Sequence, residues 1–154
     1  MAEKTVAETL AAHAGEELAV SQWVVVDQAR IDAFAACTED FQWIHVDRAR
    51  AAAGPFGATV AHGFLTLSLL PRMTTGLWAE KIGVKPEAIL NYGLDRVRFL
   101  TPVHAGARLR NRLRLVSAEA KGAGRTLVAF ENTVEIDGGT KPALIAHTLA
   151  MIFT

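Results

Sequence analysis

Two hydrophobic rhythms run along the chain, a helical one through most of its first half and a strand-like one over its second. Residues 3–13 fit a short helix stopped at Gly15, and residues 18–26, with Trp23 and three consecutive valines, fit a first strand. Asp27 is placed to cap a helix in which Ile31, Phe34 and Ala35 fall at i, i+3 and i+4, so that this helix packs by one face. Asp47 is placed to cap a second short helix, "RARAAA", which Gly54-Pro55 ends; Arg48 and Arg50 are read as solvated. After Gly63 the stripe widens. Phe64, Leu65, Leu67, Leu69 and Leu70 cover nearly every direction around a helix, which predicts one buried on most sides. Pro71 has no N–H to give to the Leu67 carbonyl and its ring crowds that turn, so a break is expected there, with the helix resuming through Trp78.

From residue 88 onward the chain alternates with a period of two. Residues 88–103 supply a strand, and "RLRNRLRL" puts Arg108, Arg110, Arg112 and Arg114 on one face with Leu109, Leu113 and Leu115 on the other. "TLVAFENTVEI" follows after residues 121–124 and closes a hairpin with one wet face, where Glu131 and Glu135 are positioned to pair with the arginine row. Asp137-Gly138-Gly139 turns the chain into a last strand, "ALIAHTLAMIF". A strand, helical loops, one very apolar helix and then long antiparallel strands make an α+β plan in which a curved sheet wraps a central helix.

Composition narrows the function classes. Apolar residues form 51% of the 154 positions and formal charge sums to zero, which argues against disorder and against a nucleic-acid partner. Cys37 is the single cysteine, so neither a disulfide framework nor a thiolate metal cluster is expected. The first residues lack the apolar run of a signal peptide, and "FLTLSLLPRM" is cut by Pro71 and Arg72 before it reaches membrane-spanning length. A cytoplasmic protein of one domain over residues 1–154, without membrane insertion, is the expectation.

The candidate chemistry lies in "TEDFQWIHVDRARAAAGPFGATVA" and the "HGFLTLSLL" that follows it. Asp40 and His45 stand five residues apart, about 140° round an ideal helix and on opposite faces of an ideal strand. Only irregular backbone aims both at one point, and there a carboxylate and an imidazole can orient a water and move its protons near neutral pH. Spacing alone leaves a second reading open, in which Asp40 caps a local turn and His45 is a satisfied buried histidine. Gly63, at the start of the apolar helix, offers an unpaired amide suited to a developing oxyanion, and its missing side chain lets a ligand come close. His62 either faces the ligand or fixes the loop by hydrogen bonding. His45, Asp47 and His62 are weak as a metal set, and no metal is expected.

The run "DFQWIH", followed by "AAAGPFGATVAHGFLTLSLL" and "NYGLDRVRFLTPVHAGARLR", resembles the MaoC-like, R-specific enoyl-thioester hydratases, also called 3-hydroxyacyl-thioester dehydratases. The resemblance covers residues 15–154 and leaves residues 1–14 as a helical extension. It implies the hot-dog fold, a homodimer, and hydration of trans-2-enoyl thioesters or the reverse dehydration of (R)-3-hydroxyacyl thioesters. The carrier would be coenzyme A or an acyl-carrier protein, and no cofactor is required beyond the coenzyme A of the substrate.

By the same resemblance Asp40 and His45 grip the water and the Gly63 N–H holds the thioester carbonyl. The family pattern Asp-x-Asn-Pro-apolar-His is kept at Asp40 and His45, with Gln42-Trp43 in place of Asn-Pro. Gln42, Trp43, Phe56, His62, Asn91 and Tyr92 are candidate pocket residues, each with an ordinary core or strand role as the alternative. Lys81, Lys85, Arg96 and Arg98 are candidates for the coenzyme A phosphates. A thioesterase on the same fold and a non-catalytic acyl-thioester binding module are the rival functions.

Overall fold

The computed structural model describes residues 4–154. Thr5 caps α1 (Val6–Ala11) through a reciprocal capping box with Glu8. The helix expected over residues 3–13 is therefore shorter at both ends, and its first residue lies outside the described part. The valine-rich strand is split into β1 (Glu17–Val20) and β2 (Val24–Val26). Both lie antiparallel on β4 (Ala107–Ala120). The interruption has a local cause: the Ser21 N–H donates to the Asn111 carbonyl, but the Asn111 N–H donates back to the Ser21 hydroxyl instead of a backbone carbonyl. A side chain has replaced a ladder acceptor, and the strand breaks there.

Asp27 caps α2 (Gln28–Thr38), accepting from the Arg30 N–H, and the helix ends at Glu39 in the left-handed region. Ile31 and Ala35 of its inner face are fully buried. Two short helices follow, α3 (Trp43–Val46) and α4 (Arg48–Ala52), the latter capped by Asp47. α5 (Gly63–Ser68) and α6 (Leu70–Ile82) form one interrupted rod joined at Leu69. The interruption falls just before Pro71, because a residue without an N–H is tolerated in the first turn of a new helix and not in the interior of a continuing one.

The sheet is antiparallel throughout, in the order β1, β4, β5 (Arg125–Ile136), β6 (Leu144–Phe153), β3 (Ala88–Phe99), with β2 beside β1 on β4. Its inner face carries Leu109, Leu113, Leu115, Val128, Phe130, Val134, Leu144 and Ile152, all buried. Leu65, Leu69, Leu70 and Met73 of the rod pack on one half of that face, and Trp78 with Leu10 of α1 packs on the other. The rod is nevertheless not enclosed on every side: Phe64 is 70% exposed, so the widened apolar stripe includes an outward position. Among the described residues no helix is long and apolar enough to cross a membrane.

On the outer face the arginine row is partnered, though not entirely as the register predicts. Arg110 bonds Glu135 at 2.6 Å, Arg112 bonds Glu17 at 2.8 Å, and Arg108 pairs with Asp137. Arg114 stands opposite Glu131 in register but donates to the Gly15 carbonyl, and Glu131 meets His147 at 3.3 Å instead.

Candidate active site

The site grows from a crossing of three segments. Residues 59–61 run extended between α3 and Val103: the Val60 N–H donates to the Ile44 carbonyl and the Ala61 N–H to the Val103 carbonyl. That leaves the Val60 carbonyl facing the His45 ring, which donates to it through Nδ1 at 2.6 Å. A carbonyl only accepts, so Nδ1 carries the proton and the lone pair of neutral His45 is on Nε2. Gln28 braces the crossing from α2, its amide nitrogen donating to the His45 carbonyl at 2.7 Å and its oxygen accepting from the Thr59 hydroxyl at 2.5 Å.

His62, the residue before α5, stacks on His45 with ring centroids 3.8 Å apart and planes 24° apart. Its Nε2 donates to the Asp40 carbonyl at 3.0 Å, and the Phe34 ring lies 4.9 Å away. Asp40 occupies the irregular backbone after the left-handed Glu39; its carboxylate is more than half exposed and lies 4.0 Å from His62 Nε2. One polar atom from each of Asp40, His45 and His62 falls within 4.8 Å of the others. Two stacked imidazoles, both buried, thus lie beside a carboxylate that faces outward. Burial pushes the His45 imidazole below its ordinary range; the Val60 bond opposes this, neighbouring His62 adds to it, and Asp40 opposes it.

The same three residues make a poor metal cage. Donors on one zinc ion lie about 2 Å from it and point at it, whereas stacked rings hold their in-plane lone pairs side by side. The cluster suits moving protons on a water better.

Gly63 opens α5 next to His62, and among the described residues no acceptor takes its N–H. A Cβ at this position would stand 3.0 Å from the Phe99 ring, so any larger residue here would need that ring to shift by a few tenths of an ångström, a packing reason for glycine separate from any ligand. From Phe64 a cleft of about 670 Å³ runs between the α5–α6 rod and the sheet. Leu67, Pro71, Trp78, Leu113 and Phe130 make it largely apolar, and Asn91 and Tyr92 line its rim on β3.

The remaining candidates are elsewhere. Gln42 is exposed at the start of α3, with its N–H 3.4 Å from the Asp40 carboxylate. Trp43 packs on the backbone of Gly54 and lies under the Arg50 guanidinium at 4.3 Å, clamping α3 to α4 away from the cleft; Arg50 is thereby stacked as well as solvated. Phe56 is 40% exposed and its carbonyl accepts from His104, so neither aromatic lines the cleft. The bracing role of Gln28 and the contact of Phe34 with His62 were not legible in the sequence, because nothing in a helix's own pattern shows what it braces. Asn132 left a signal, as a polar residue in the inward phase of a strand.

Residues 9–138 match the family model described as "MaoC like domain". The chain is 49% identical over 140 residues to 3-hydroxyacyl-thioester dehydratase Z of Mycobacterium tuberculosis, covering 91% of each. It is 46% identical over 140 residues to nodulation protein N of Rhizobium leguminosarum bv. viciae, covering 90% of this chain and 85% of that one. Among solved structures it superposes on an (R)-hydratase from A. caviae involved in PHA biosynthesis with a TM-score of 0.69. That likeness covers 89% of this chain and 94% of the other at 23% identity, and it carries the fold alone.

Proposed function

The chain belongs to the MaoC-like domain family, and from that premise we propose that it is a hydro-lyase of acyl thioesters. It adds water to trans-2-enoyl thioesters to give (R)-3-hydroxyacyl thioesters, and catalyses the reverse dehydration. The observation that carries this reading is the gathering of Asp40, His45 and His62 within 4.8 Å at the start of α5, where the Gly63 N–H has no acceptor among the described residues and the next residue, Phe64, begins the lining of an apolar cleft.

In the hydration direction the thioester carbonyl sits on the Gly63 N–H, where negative charge develops as the enolate forms. A water held between the Asp40 carboxylate and His45 Nε2 attacks the β-carbon, losing one proton to this pair as its oxygen bonds to carbon, and the pair passes a proton on to the α-carbon, which restores its starting state. Dehydration retraces these steps. His62 and Gln28 hold the two catalytic groups in place. The acyl chain enters the cleft past Phe64, and the thioester's carrier is coenzyme A. No step calls for a cofactor other than the coenzyme A of the substrate.

Two copies complete the molecule. β3 is bonded on one side only, to β6, and its exposed Leu90, Tyr92 and Leu94 adjoin exposed Phe64 and Phe99. A long apolar edge of this kind needs a cover, and a second copy supplies one.

The test is an assay with crotonyl-CoA that follows loss of the enoyl-thioester absorbance and, in parallel, release of free thiol. Absorbance loss without thiol is the expected result; thiol release would transfer the same residues to hydrolysis of the thioester, and silence in both channels with longer chains as well would reduce the site to binding.

A further inference from the structure

The inner face of β4, β5 and β6 is mostly apolar; besides buried Thr126 near the start of β5, its polar positions follow one diagonal. Asn111 on β4, Asn132 on β5 and Thr148 on β6 occupy inward positions in three adjacent strands, and they are bonded to one another. The Asn111 amide nitrogen donates to the Asn132 side-chain oxygen at 2.7 Å, and the Asn132 nitrogen donates to the Thr148 hydroxyl at 3.0 Å and to the Ala146 carbonyl at 3.3 Å. Both asparagines are at most 1% exposed, and the Asn111 side-chain oxygen has no partner. Burying two amides here is costly, and aliphatic residues would satisfy the alternation without that cost. Stability alone gives no reason for the ladder.

Its far end gives one. Asn132 and Thr148 line the cleft floor. The Thr148 oxygen accepts from Asn132, and among the described residues nothing accepts from its hydroxyl. A hydroxyl has a single proton, so a threonine held as an acceptor by the ladder turns that proton toward the cleft. The position is distal: Thr148 lies four residues along β6 from Leu144, which faces Phe99 beside Gly63, a distance of roughly 13 Å at strand rise.

We propose that the Asn111–Asn132–Thr148 ladder is a specificity element that offers one oriented donor to an acceptor oxygen on the distal part of the acyl chain, so that oxygen-bearing chains are preferred to plain alkyl chains of equal length. The inference rests on the acyl chain occupying this cleft. A plain chain covers the Thr148 hydroxyl and leaves it unpaired, and a buried unpaired donor disfavours binding by roughly tenfold.

The test uses pairs of trans-2-enoyl-CoA thioesters of equal length, one all-carbon and one with an ether oxygen replacing a methylene, the oxygen being moved along the distal half of the chain. The expected result is a preference of about tenfold in kcat/KM for the ether at one position, abolished in Thr148→Val and kept in Thr148→Ser. A preference of about threefold or less at every position in the wild-type protein, which needs no variant to fold, overturns the proposal; so does a preference that Thr148→Val leaves unchanged. Should neither thioester turn over, the hydro-lyase reading fails by itself, and calorimetric affinities for the same pairs decide the ladder's role by the same ratios.

Discussion

At the scale of single residues, the chemistry depends on which nitrogen of His45 is free. The Val60 carbonyl fixes Nδ1 as the donor, so the ring is useful as a base only while neutral, and burial holds its pKa below the ordinary 6.5. The acid limb of kcat/KM against pH should therefore be centred below 6.5, and a limb at or above that value would contradict the assignment of His45. Stability follows the same sign: the unfolded chain takes up its proton at the ordinary pKa, before the folded one, so this group's contribution is lost as pH falls from about 6.5 toward the folded value. The Asp40–His45 spacing was legible because no regular element makes such a pair neighbours. The stack of His62 on His45 was not, since it depends on where a distant extended segment crosses α3.

At the scale of elements, capping and alternation made most boundaries readable. Asp27 and Asp47 each take the amide that their side chains are suited to accept, and the period of two in β4 and β5 placed their inner faces, whereas the Thr5 cap went unread and the first helix starts later than expected. Local pattern failed where a tertiary hydrogen bond or packing contact decided the outcome. Ser21 broke an apparently continuous strand by substituting its hydroxyl for a carbonyl, and Trp43 was drawn onto Gly54 and Arg50 instead of into the cleft. The edge of β3 carries a prediction of its own. If its apolar surface is where two copies meet, the wild-type protein should sediment at twice the chain mass and Leu90→Lys combined with Tyr92→Lys should sediment as a monomer. A wild-type monomer would refute that pairing.

At the scale of the whole molecule, one interrupted rod joins the two halves of the site. Its head carries Gly63 next to His62, which stacks on His45, and its length forms one wall of the cleft, so in the proposed reaction one element would position both the reacting carbon and the acyl tail. The sheet provides the other wall, and its polar diagonal crosses that wall far from the reacting end. The central claim is that Asp40 and His45 act together on one water, and the most direct test is the turnover of crotonyl-CoA by Asp40→Asn in protein whose circular dichroism and melting temperature match the wild type. A loss of about 10²–10⁴-fold is predicted, since a positioned acid or base contributes that much and the exposed Asp40 side chain contributes little to the fold. Retention of most of the activity would contradict the account.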